Sequence, residues 1–282
     1  MEVRKLSYVI MGSDERPIPI DVHFTESKTP MPIAIFAHGY KGFKDFGAWS
    51  LIGDQMANAG IVFARFNFSH NGVTLTEATE FNDLEAFGEN NYSKEVYDFS
   101  CVIDFIHDLA KEKSNWNENK ISIIGHSRGG GMAILSASKN KKVKGLITWA
   151  AIKSTFERMP KGKALKEWKE KGIRYVLNGR TKQEMPHYIQ FYNDLEENKA
   201  QLDIEKSARS LNIPWLIIHG DKDEAVPLKD AEILHSWNKQ SRLFIVKNGG
   251  HTFSTFHPWT FSDLPIEMQD VVERSIAFIC QL

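Results

Sequence analysis

The sequence predicts an α/β fold: a mostly parallel eight-stranded sheet, covered by helices on both faces and interrupted by one insertion. Three observations carry that expectation. Short β-rich runs alternate with segments of helical spacing along most of the 282 residues, the pattern of a sheet whose crossovers are helices. Several of the runs, such as Pro32–Ala37, are apolar without alternation, as strands buried on both faces must be. One stretch, 152–210, contains no strand-like run and is far longer than a single crossover needs.

Each element follows from its own pattern. Val3–Ile10 and Pro17–Thr25 read as an opening antiparallel pair, because Ile18, Ile20, Val22 and Phe24 alternate with period two. Further strands are expected at Pro32–Ala37, Ile61–Phe68, Lys120–Gly125, Val143–Ala150, Ile213–His219 and Arg242–Lys247. Helical spacing marks Ala48–Ala59, Tyr92–Lys113, Ser127–Lys139, Leu228–Asn238 and Pro265–Leu282. In the second of these, Val96, Phe99, Val102, Ile103, Phe105, Ile106 and Leu109 form one apolar face. The expected organisation is therefore a core domain of residues 1–151 and 211–282, with 152–210 inserted as a helical cap. The first part of that insertion, Ile152–Arg180, holds nine Lys/Arg against three Glu, a net charge of +6. Such a segment fits either a solvated helical face or a cap that tunes which substrates enter. The loop Asn71–Asn91 carries five acids and no base, and its length makes it a second candidate rim element.

Composition narrows the class of function. With 42% hydrophobic and 25% charged residues, the chain has the make-up of an ordinary globular protein rather than a disordered one. Thirty-five Lys+Arg against 36 Asp+Glu leave a net charge of −1, so the basic footprint of a nucleic-acid binder is absent. Two cysteines, Cys101 and Cys280, cannot make a disulfide framework and read as small core residues. The N-terminus has no apolar signal-peptide region, and no apolar run approaches the ~18 residues of a membrane span. A cytoplasmic protein without a membrane partner is expected, and the sequence leaves its oligomeric state open.

The chemistry lies in Gly125-His126-Ser127-Arg128-Gly129, a G-x-S-x-G that follows the strand Lys120–Gly125 and opens a helix. The flanking glycines suit a turn too tight for side chains, and Ser127 then projects at the carboxyl end of a central strand. A serine hydroxyl needs a base to remove its proton, and in this strand–turn–helix context an acid and then a histidine should follow. Strand Ile213–His219 ends in an acidic turn containing Asp221, Asp223 and Glu224; strand Arg242–Lys247 ends in Gly249-Gly250-His251. Each of the three acids is within reach of the turn. No zinc-type Cys/His spacing, no H-E-x-x-H and no nucleotide-binding glycine loop occurs, so no cofactor and no metal is implied.

These motifs resemble the α/β-hydrolase superfamily of serine hydrolases. The resemblance is nearest to its dienelactone-hydrolase-like, cinnamoyl (feruloyl) esterase-like and serine aminopeptidase-like groups. The acid loop common in that superfamily, H-G-x-x-D-x-x-V-P, matches His219, Gly220, Asp223, Val226 and Pro227, which implies Asp223 as the triad acid beside Ser127 and His251. The H-G-x loop matches His38-Gly39-Tyr40, which implies an oxyanion hole formed by the backbone amides of Tyr40 and Arg128. His38, His126 and His219 are then scaffold residues. Dienelactone hydrolases use a cysteine nucleophile where this chain has Ser127, so that name describes relatedness rather than substrate. The expected activity is hydrolysis of a small-molecule carboxylic ester through an acyl-enzyme, with peptidase or thioesterase activity and a non-catalytic binding role as alternatives. Within the cap, Tyr188 and Phe191 are the candidate substrate-binding residues, among the aromatics Trp168, Tyr175, Tyr188, Phe191 and Tyr192 and with Met185.

Overall fold

The first two strands, β1 (Arg4–Met11) and β2 (Pro17–Phe24), pair antiparallel, and the period-two apolar residues of β2 turn inward: Ile18, Ile20 and Val22 are fully buried. A computed structural model describes residues 2–282, so that Met1, where the expected core begins, lies outside the described residues. The buried strands that follow are β3 (Met31–Ala37), β4 (Val62–Phe66), β5 (Trp116–His126) and β6 (Val143–Trp149). After two short strands in the insertion, β7 (Ile173–Leu177) and β8 (Glu184–Tyr188), the sheet resumes with β9 (Trp215–Gly220) and β10 (Arg242–Val246). The sheet order is β1-β2-β4-β3-β5-β6-β9-β10. Every pairing from β4 onward is parallel, and β2 joins β4 antiparallel.

Side chains of β3 show why both faces must be covered. Ile33 and Ile35 enter one core, while Ala34 and Phe36 enter the other. Helices α1 (Trp49–Asn58) and α9 (Ile266–Ile279) cover the second core. On the first lie α3 (Tyr92–Lys111), α4 (Arg128–Ala137) and α8 (Leu228–Trp237); the short α2 (Leu84–Gly88) sits in the acidic loop Asn71–Asn91. Each large aliphatic side chain buried in this way contributes about 1.5–3 kcal/mol relative to leaving it in water. The cysteines are not core residues: Cys101 is half-buried on α3, and Cys280 is exposed just after α9.

The insertion differs from the helical expectation. It holds α5 (Gly162–Lys171), α6 (Gln190–Glu197) and α7 (Ile204–Ser210), but between α5 and α6 the chain makes the antiparallel hairpin β7–β8. Ile173-Arg174-Tyr175-Val176-Leu177 is a β-branched and aromatic run of five residues, followed by Asn178-Gly179. That turn is tied by Asn178 N–H to Gln183 O (2.8 Å) and Lys182 N–H to Asn178 O (2.8 Å). The surrounding lysines mask a strand this short.

Candidate active site

Ser127 occupies a sharp turn between β5 and α4, with φ 56° and ψ −118°. A non-glycine residue held there costs on the order of 1–3 kcal/mol, so its surroundings must impose it. They do: Ser127 N–H donates to Trp149 O (2.8 Å), and Ser127 O accepts from Gly130 N–H (3.0 Å). Gly129 is required by a close approach, since a Cβ there would lie 2.3 Å from His38 O. The result presents Ser127 Oγ 3.0 Å from His251 Nε2.

His251 is held on its other side by Asp223, whose Oδ2 lies 2.8 Å from Nδ1. The Asp223 side chain is sealed from solvent, and its second oxygen, Oδ1, accepts from the amides of Ala225 (2.9 Å) and Val226 (2.8 Å). Burial pushes the Asp223 carboxyl up, but hydrogen bonds from His219 and His251, the His251 charge and the Val226 amide outweigh it and hold the group well below its ordinary range. Asp221 is elsewhere: it accepts from Asn248 N–H at 2.7 Å, lacing the acid turn to the histidine loop. The two loops touch so closely that a Cβ on Gly220 would lie 2.0 Å from Gly249 O. Of the three acids within reach of the turn, only Asp223 contacts His251.

The neighbouring histidines act as struts. His126 Nε2 lies 2.8 Å from His251 O, and burial first, then the His251 charge, pushes its pKa down to about 3. It is neutral at ordinary pH and anchors the backbone of His251. His219 Nε2 donates to Val226 O at 2.8 Å, bracing the Asp223 loop. His38 is also pushed down, to about 4, mainly by burial, and contacts Gly39 O at 2.9 Å. The Tyr40 and Arg128 amides point to no protein acceptor among the described residues. Arg128 N–H is free because it begins α4, where no earlier turn supplies a carbonyl.

The BD-FAE family model, which describes α/β-hydrolase esterases, matches residues 20–238. The chain belongs to the BD-FAE family. Solved structures agree on the fold. Est1E from Butyrivibrio proteoclasticus with ferulic acid bound superposes with a TM-score of 0.71 at 17% identity, covering 98% of this chain and 98% of that one. The esterase domain of a Rhodothermus marinus protein gives 0.63 at 18% identity, covering 99% and 98%. Pyrococcus horikoshii acylaminoacyl peptidase gives 0.63 at 17% identity, covering 89% of this chain but 38% of its own. No curated protein sequence matches the chain significantly. At these identities the neighbours establish architecture, and the BD-FAE match establishes an α/β-hydrolase serine hydrolase.

In this BD-FAE member, Ser127 and His251 open into a cavity of about 420 Å³. The insertion forms much of its wall: Ile152, Arg158, Met159, Pro160 and Trp168 precede the hairpin, and Arg174, Val176, His187 and Phe191 come from β7, β8 and α6. Phe191 lines this cavity. Tyr188 does not. Strand parity turns neighbours to opposite faces, and His187 takes the cavity side, so Tyr188 packs over Gly88 and donates to Glu85 Oε2 at 2.5 Å. Met185 joins a separate cluster with Phe43, Phe81 and Phe87, and Tyr175 is exposed.

The basic excess of the insertion divides in two. Lys163 and Lys166 on α5 are solvated and loosely paired with Glu167 (3.7 Å) and Glu170 (3.8 Å), a surface face of little energetic weight. Arg158 and Arg174 instead face the cavity. Arg128 joins them, packed over the rings of Tyr40 (4.2 Å), Tyr92 (5.2 Å) and Phe191 (5.3 Å) and reaching Glu95 at 3.3 Å. Sequence reasoning used only the Arg128 amide and missed its side chain. It also missed His187, whose Nε2 accepts from Tyr40 O–H at 2.6 Å. The acidic loop meets the insertion through Arg180 and Glu80 (3.5 Å) and through Tyr188 and Glu85. No three His, Cys, Asp or Glu side chains cluster so as to hold a metal ion among the described residues. No helix among them is long and apolar enough to cross a membrane.

Proposed function

We propose that the protein hydrolyses carboxylic esters through an acyl-enzyme formed on Ser127. The observation that most supports this reading is the unbroken chain from Ser127 Oγ through the His251 imidazole to the Asp223 carboxylate, opening into an aromatic-walled cavity. His251 Nε2 takes the Ser127 proton as Oγ attacks the ester carbonyl. The developing oxyanion lies against the Tyr40 and Arg128 amides, each worth roughly 3 kcal/mol in the transition state. Protonated His251 gives its proton to the leaving alcohol and then activates water, which releases the acid and restores Ser127. Asp223 keeps the Nδ1–H tautomer and stabilises the imidazolium.

Esters are favoured over amides because an alkoxide asks less of the general acid than an amide nitrogen, and the BD-FAE family is an esterase family. The insertion serves as the cap that selects substrates. The test pairs fluorophosphonate labelling with a panel of alkyl, aryl and aminoacyl substrates. Labelling at Ser127 and turnover of esters above aminoacyl amides is the expected result. An unlabelled Ser127 would return the protein to a binding role, and faster amide turnover would make it a peptidase.

A further inference from the structure

The cavity beside Ser127 has apolar walls, yet three guanidinium groups open into it, those of Arg128, Arg158 and Arg174, and no Asp or Glu lines it among the described residues. Two of the three have internal partners. Arg128 pairs with Glu95, buried behind it (3.3 Å), and Arg158 pairs with Asp230 (3.4 Å) and donates to Ala225 O (3.0 Å). Arg174 has no carboxylate at ion-pair distance and no hydrogen-bond acceptor among the described residues; its guanidinium lies by the Trp168 ring, 5.3 Å from the centroid.

Its orientation is built in. Arg174 pairs across the hairpin with His187, so both side chains share the cavity face, while Tyr175 and Leu177 on the other face of β7 are exposed. His187 adds no charge of its own: burial, then Arg128 and Arg174, push its pKa down to about 3. The Asp223 charge is committed to His251, whose imidazolium it must balance during reaction. The resting cavity therefore carries one guanidinium without a carboxylate partner beside an apolar wall, a place where a bound anion finds a ready counter-ion.

We infer that the substrate is an ester carrying, at the end remote from the reacting carbonyl, a carboxylate that becomes the partner of Arg174. A planar carboxylate matches the guanidinium fork, and its single charge balances the cavity, whereas a phosphate dianion would leave one negative charge unpaired. The apolar side chains of Ile152, Met159, Val176 and Phe191 then suit the hydrocarbon between the two ends. This rests on reading the Ser127 cavity as the ester site.

The experiment compares isosteric esters in a pH-stat assay: monomethyl suberate with methyl octanoate for an acyl-side carboxylate, and 7-acetoxyheptanoate with heptyl acetate for an alcohol-side one. At least one anionic ester should exceed its neutral partner in kcat/KM by about 10- to 100-fold, and added salt should shrink that preference. Arg174→Gln should abolish the preference, mainly through KM, and Arg174→Lys should keep part of it. Absence of a preference for the anionic ester in both pairs, or equal losses on both members in Arg174→Gln, would overturn the inference. Calorimetry on the Ser127→Ala protein separates this claim from the ester-hydrolase reading. At least one of monomethyl suberate and 7-acetoxyheptanoate should bind there and lose its affinity in Ser127→Ala/Arg174→Gln; absence of binding by both overturns the inference whatever the enzyme hydrolyses. Intact binding without hydrolysis or fluorophosphonate labelling would instead overturn the ester-hydrolase reading alone.

Discussion

Replacing Asp223 with Asn tests the site most sharply, because the surroundings dictate how the amide must sit. Two backbone donors, Ala225 N–H and Val226 N–H, converge on Oδ1 at 2.9 and 2.8 Å. An Asn side chain will place its carbonyl oxygen there, since the alternative sets its NH₂ against two N–H groups. Its NH₂ then occupies the Oδ2 position, 2.8 Å from His251 Nδ1, and donates to it. That forces the proton onto Nε2, which faces Ser127 Oγ at 3.0 Å and can no longer accept from it. The expected loss in kcat is on the order of 10⁴, or about 5 kcal/mol of transition-state stabilisation, with the fold intact. Asp221→Asn, which weakens only the bond from Asn248 N–H, should cost less than about tenfold. The assay is steady-state turnover of a p-nitrophenyl ester, checked by the rate of fluorophosphonate labelling, which reads nucleophile activation without a known substrate. Near-normal labelling of Asp223→Asn, or an exchange of the two results, would refute the tautomer argument.

Ser127→Ala and His251→Ala should each reduce kcat by several orders of magnitude, and the double variant should lose hardly more than either alone, because the two act as one unit. Additive losses by the same turnover assay would count against a shared machine. Phe191→Ala should change kcat/KM differently for short and bulky esters, by about 1–3 kcal/mol, whereas Tyr188→Ala should show no such substrate dependence and only a modest stability loss in urea unfolding. Because the Asp223 pKa is depressed in the folded state, its contribution to stability is present above the ordinary carboxylate value of 3.8 and fades as pH falls below it. The stability gap between wild type and Asp223→Asn should therefore narrow on acidification, measured by unfolding at pH 7 and at progressively lower pH.

The sequence by itself determined the parts whose chemistry is local. Strand runs, the glycines around Ser127, and the turns after β9 and β10 each encode a backbone conformation within a few residues. The order of those pieces along a parallel sheet brings Ser127, Asp223 and His251 to one edge. What only the tertiary structure decided is which side chain faces what. Asp221 and Asp223 are two residues apart in one turn, and the loop-to-loop contact at Gly220 and Gly249 sends the first to Asn248 and the second to His251. Tyr188 and His187 are neighbours on a five-residue strand, Glu184-Met185-Pro186-His187-Tyr188, that shows no apolar alternation, and its parity put the histidine, not the tyrosine, against the cavity. The nine basic residues of Ile152–Arg180 look alike in sequence, yet β7 turns Arg174 inward while α5 holds its lysines in water. Facing and pairing are set by contacts between residues far apart in the chain, and no local pattern carries that information.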